Sequence, residues 1–119
     1  MYRILSTSRN VRLLLDRNSV LALAGFSVIS PKYPEQTPSL AAQEKVDAVI
    51  IGHSVDPFIR KSIIRDLRST CPRCVICFVY AAPETKGESL ADASLDVTDG
   101  PEALIRLLQE RLPRNTRAS

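Results

Sequence analysis

The chain has 119 residues, 45% of them hydrophobic and 24% charged, with 16 basic and 13 acidic side chains and a net charge of +3. That length suits one domain around a single buried core, and the composition excludes disordered and fibrous classes. The positive charge is small and scattered, so it argues only weakly for an anionic partner, and no apolar run approaches the roughly 18 residues of a membrane span.

The predicted elements begin at once. Met1-Tyr2-Arg3-Ile4-Leu5 enters a strand pattern with no signal-peptide layout, which predicts a cytoplasmic protein. A first strand is expected over 2–7, centred on Ile4 and Leu5. Ser8 or Asn10 can cap a helix running to about Ala24, with Val11, Leu14, Leu15, Leu21 and Ala22 near one face. Gly25 is a helix stop, and a second strand follows over 26–30. Pro31, Pro34 and Pro38 break the chain into a loop before a short helix over 39–45.

Asp47-Ala48-Val49-Ile50-Ile51-Gly52 is a third strand, apolar without alternation, as in a parallel sheet buried on both faces. Asp56-Pro57 opens a helix to about Ser69, with Phe58, Ile59, Ile63, Ile64 and Leu67 as its apolar set. Strands are expected over 75–80 and 94–97. The polar stretch 83–92 between them has room only for a weak helix near 88–91. A last helix opens at Asp99-Gly100-Pro101-Glu102, carries Leu104, Leu107, Leu108 and Leu112, and ends at Pro113. Strands and helices thus alternate five times, which predicts an α/β fold: a three-layer, doubly wound sheet of five parallel strands, with a short or irregular fourth helix. Residues 1–113 form the domain and 114–119 a polar tail.

In such folds chemistry lies beyond the carboxyl ends of the strands. The third strand ends at Gly52, which has no side chain with which to do it.

Several stretches, in order and spacing, resemble the receiver domains of bacterial response regulators, a CheY-like, flavodoxin-like family. These are Arg3-Ile4-Leu5, Leu23-Ala24-Gly25-Phe26-Ser27-Val28, Asp47-Ala48-Val49-Ile50-Ile51, Val55-Asp56-Pro57 and Pro101-Glu102-Ala103-Leu104. The resemblance covers about 2–112. It implies an acidic pair after the first strand to hold a divalent cation by hard oxygen ligands. Those positions read Thr7-Ser8-Arg9, with Ser8 and Arg9 at the pair itself. It implies a phosphoacceptor aspartate where this chain has Gly52. The hydroxyl expected at the end of the fourth strand is replaced by Val79, with Tyr80 next. The lysine expected at the end of the fifth is replaced by Val97 or Thr98. The implied function is a receiver-like signalling and protein-interaction module that is not an enzyme, is not phosphorylated by the aspartate mechanism and needs no metal or cofactor. Its partners would be proteins, including a second copy in a homodimer.

Two rival readings stand beside it. Ser6, Thr7, Ser8, Gly52, His53, Ser54 and Thr98 can line a polar cleft for a small anion or nucleotide. A well-formed pocket there would favour this reading, and a filled site would count against it. His53, the only histidine, can be a base, a phosphorylated group or a ligand, although a loop histidine that caps backbone or meets water explains it as simply. Asp56 is read as an N-cap and not as a cation ligand.

The second rival is a thiol redox enzyme using Cys71-Pro72-Arg73-Cys74. The pair follows a helix and does not open one, so the helix dipole does not activate it. No second pair of zinc ligands is evident. Cys77 belongs to the core, and the odd count is no disulfide framework. Arg60, Lys61, Arg65 and Arg68 make a basic, solvated outer face on the third helix. Without a groove-reading element they do not make a nucleic-acid surface.

Overall fold

Runs of apolar and β-branched residues make the strands here, and the residues between them decide where each run stops. A computed structural model of the chain describes residues 1–81 and 90–112. In chain order it contains β1 (Arg3–Thr7), α1 (Val11–Leu23), β2 (Ser27–Ile29), α2 (Thr37–Glu44), β3 (Ala48–Ile51), α3 (Pro57–Thr70), β4 (Val75–Tyr80), β5 (Ala93–Asp96) and α4 (Pro101–Arg111). The strands are all parallel, in the order β2-β1-β3-β4-β5. The chain winds outward from β1 to β2, then crosses back to β3 on the other side. The switch point therefore lies between the carboxyl ends of β1 and β3, the place where such sheets open a crevice.

Strand alternation divides the core into two layers. Leu5, Val49, Ile51 and Ile76 face α2 and α3, packing on Ala41, Ile63, Ile64 and Leu67. Ile4, Ala48, Ile50, Cys77 and Val79 face the other way, onto Leu21 of α1 and Leu104 and Leu108 of α4. Both faces of β3 are fully buried, which is why it reads as an unbroken apolar run.

The caps follow from local chemistry. Asn10 Oδ1 accepts from the Leu13 amide at 3.1 Å. Asp56 Oδ2 accepts from Phe58 N and Ile59 N, at 3.0 and 3.3 Å, with Pro57 at the first helical position. Gly25 follows α1 at φ +98°, a conformation that glycine adopts cheaply. Asp92 pins the chain back onto the sheet. It accepts from Ile76 N at 2.7 Å and receives both guanidinium nitrogens of Arg68, at 3.2 and 3.1 Å.

Several boundaries and faces differ from the sequence expectation. β5 starts and ends one residue earlier, at Ala93 and Asp96, because Asp96 caps a following 3-10 turn through the Thr98 amide. β2 is three residues long, and α2 starts at Thr37. The inward face of α1 is Leu14, Arg17, Asn18 and Leu21, while Val11 and Leu15 stand 65% and 61% exposed. Phe58 is 82% exposed at the start of α3. Arg60 does not belong to an outer basic face. It is 5% exposed and lies 4.2 Å from the centre of the Phe78 ring. Arg68 is engaged by Asp92, which leaves Lys61 and Arg65 as the exposed cations of the four. Most of the polar stretch expected to hold the weak helix near 88–91, together with Pro113 and the 114–119 tail, lies outside the described residues.

Candidate functional site

The carboxyl ends of β1 and β3 meet through two serines 46 residues apart in sequence. Ser8 Oγ and Ser54 Oγ are 2.8 Å apart and hydrogen-bonded. Ser54 Oγ also accepts from the backbone amides of Arg9 and Asn10, at 2.8 and 3.1 Å, and Ser8 Oγ accepts from Asn10 N at 3.1 Å. The start of α1 is thereby laced to the loop after β3. Gly52 N donates to Thr7 O at 2.9 Å and extends the ladder by one residue. Thr7 is buried, and His53 is half-buried with no hydrogen bond or ion pair to the described residues. Arg9 leaves the site, its guanidinium meeting Glu35 at 3.1 Å on the surface.

The decisive neighbour of Gly52 is Arg17. From α1 its Nη1 donates to the buried Ser6 Oγ at 3.0 Å. A Cβ on Gly52 would stand 3.0 Å from Arg17 Nη2 and 3.1 Å from both Ser8 Cβ and Ser8 Oγ. The space that a side chain at position 52 would enter is therefore held by a guanidinium and a hydroxyl. Burial pushes the Arg17 pKa below the ordinary arginine value, with Cys77 acting the other way. Among the described residues Arg17 has no carboxylate partner.

The Gly52→Ala variant is expected to lose about 1 kcal/mol of stability in urea unfolding. The Arg17 tip can move aside, but Ser8 is tied by its bonds to Ser54 and Asn10. An unchanged midpoint would mean that this corner is loose.

The other strand ends differ among themselves. Val79 is buried, and both it and Val97 line a cleft between α1 and α4 of about 320 Å³. Thr98 is exposed, with its amide and hydroxyl donating to Asp96 Oδ1 at 2.9 and 2.8 Å. These bonds hold the Asp96 carboxyl below its usual range. Of the residues expected to line a polar cleft, Ser8 and Ser54 are hydrogen-bonded to each other, and a cleft lined by Arg17 lies between α1 and α4. Sequence reasoning passed over Arg17. The readable signal was a cation at position 17 within the 14, 18, 21 stripe of α1.

Cys71 and Cys74 lie at the opposite, amino-terminal edge of the sheet, just before β4. Both are unpaired thiols. Burial, then the neighbouring Cys71, pushes the Cys74 thiol up to about 12. A thiol so raised is the reverse of an activated nucleophile.

With this geometry, comparison with known proteins is informative. No protein-family model and no curated protein matches the chain. Solved structures do match. The chain superposes on the chemotaxis protein CheY4 of Vibrio cholerae with a TM-score of 0.80, at 20% identity over 94% of this chain and 99% of that one. A CheY-like receiver domain protein of Methanospirillum hungatei gives 0.81, at 18% identity over 93% of each chain. The receiver domain of a sensor histidine kinase from Pseudomonas aeruginosa gives 0.78, at 19% identity over 92% and 95%.

The chain has the fold of a response regulator receiver domain. At these identities the likeness concerns fold, and function rests on the site. The Pseudomonas receiver domain was solved with a magnesium ion coordinated in its active-site cleft. Among the described residues, those beside Gly52 do not fit such an ion. Magnesium takes carboxylate oxygens. Here Ser8 is committed to Ser54, Arg9 points outward, Gly52 has no side chain and the Arg17 guanidinium stands against it. No group of three or more His, Cys, Asp or Glu side chains among the described residues is placed to hold a metal.

Proposed function

We propose that the chain is a receiver-type signalling module that works through protein contacts and does not undergo aspartyl phosphorylation. One observation carries this reading: the Arg17 guanidinium and Ser8 occupy the place that a side chain on Gly52 would need. A phosphoacceptor mechanism wants a carboxylate nucleophile beside a cation held by acids. This corner instead offers a half-buried arginine and two serines bonded to each other.

Partner contacts would come from the surface. Val11 and Leu15 on α1 and Phe58 at the start of α3 are exposed apolar side chains. Such positions can serve a protein partner or a second copy of the chain. A cytoplasmic location goes with this reading; no helix among the described residues is long and apolar enough to cross a membrane. A redox enzyme is disfavoured by the raised Cys74 thiol.

The test is incubation with magnesium and acetyl phosphate or a phosphoramidate, followed by intact-mass measurement. The expected spectrum shows the unmodified chain alone. A covalent phosphoprotein, whether on His53 or elsewhere, would overturn the reading.

A further inference from the structure

Arg17 is half-buried on α1, and its side chain has donors to spare. A guanidinium carries five N–H donors. Among the described residues Arg17 uses one, to the neutral hydroxyl of Ser6. A half-buried cation with no carboxylate partner among the described residues can receive an anionic group from outside the fold. Arg17 also lines the cleft of about 320 Å³ between α1 and α4, a volume at the small end of ligand sites, which run from roughly 300 to 1,000 Å³. Most of the cleft wall is apolar, including Val20 of α1, Val79 at the end of β4, Leu95 of β5 and Leu104 of α4. Two further charged groups line it, Asp16 and Asp96. The Asp96 carboxylate is already bonded to Thr98, and Asp16 is exposed on α1.

We propose that this cleft binds a small organic monocarboxylate with an apolar body, the carboxylate received by the Arg17 fork and the body lying between α1 and α4. The guanidinium matches a carboxylate in two parallel hydrogen bonds. The apolar walls favour a hydrocarbon body over a hydrated inorganic anion, which would lose its water without replacement donors. Asp16 and Asp96 disfavour a second negative charge on the ligand. The cleft shares Arg17 with the Gly52 corner, but ligand binding is read by titration and phosphorylation by intact mass, so the two readings fail separately.

The test is a titration of the isotope-labelled full chain, followed by backbone amide NMR. The probes are benzoate and hexanoate, their neutral amides benzamide and hexanamide, and inorganic phosphate at matched ionic strength. Saturable shifts are expected at Val20, Val79, Leu95, Val97 and Leu104 with the acids. The amides should bind at least about tenfold more weakly, since they lack the charge-assisted bonds. Arg17→Gln should abolish the preference for acid over amide. Val97→Phe, which fills the cleft and keeps Arg17, should weaken acids and amides together and guards against a folding defect in the first variant. No saturable shift with any acid, equal binding of acid and amide, or stronger shifts with phosphate at the same residues would each overturn the proposal.

Discussion

Replacing Phe78 by alanine is expected to cost about 3–5 kcal/mol of stability, the range for emptying a large aromatic from a packed core. Phe78 is fully buried on β4, between Ile51 of β3 and Ser94 of β5. Its ring carries the Arg60 guanidinium 4.2 Å above its centre and has Tyr80 at 6.4 Å. Truncation removes the packing and also the face on which a buried cation rests, adding a penalty of the kind that follows when a desolvated charge loses a partner. Domains of this size are stable by only about 5–15 kcal/mol, so the variant should sit near the edge of folding at 37 °C. Phe78→Leu should recover more than half of the loss by keeping most of the volume. Urea unfolding of the three proteins measures both effects. A loss below about 1.5 kcal/mol for the alanine variant would mean that the Arg60–Phe78 stack is not part of the core.

Alkaline pH should destabilise the fold through its buried thiols. Burial raises both Cys74 and Cys77 from an ordinary 9.0 to about 12. Both are nearly or wholly inaccessible to solvent. In the unfolded chain these thiols ionise through pH 9, while in the native protein they stay protonated until about 12. The raised values therefore contribute stability that is complete below the unfolded value and is lost as pH rises toward the folded one. By pH 10 the loss is about 1.4 kcal/mol per thiol, or about 3 kcal/mol for the pair. Urea midpoints compared at pH 7.5 and pH 10 should show this drop in the native sequence and little of it in the Cys74→Ala/Cys77→Ala protein. Tyrosines and lysines titrate alike in both and cancel. Equal slopes in the two proteins would show that the thiols are solvated, which would also reopen the redox reading of Cys71 and Cys74.

The fold was legible because its signals are local. Ala48–Ile51 reads as a two-faced buried strand from its own residues, Val75–Tyr80 falls at its expected bounds, and Asp56-Pro57 starts a helix wherever it occurs. The errors came where an element's partner mattered. Val11 and Leu15 match an apolar stripe as well as Leu14 and Leu21 do, yet α1 presents Leu14, Arg17, Asn18 and Leu21 to the sheet. Arg60 belongs to a run of four basic residues that looks like a solvated face. Its helix turns it onto Phe78.

By itself, the sequence determined an α/β alternation and a third strand that runs into Gly52. Both depend on residue identity and on short-range period, which the chain carries wherever it folds. Only the tertiary structure decided what stands at the strand ends. It brought Ser8 to Ser54 across 46 residues, turned Arg9 away to Glu35, set Arg17 against Gly52 and opened a cleft between α1 and α4. The physical reason is that periodicity marks which face of an element is apolar. The group lying against that face is fixed by packing between segments distant in sequence, as the Arg17 guanidinium set against Gly52 shows.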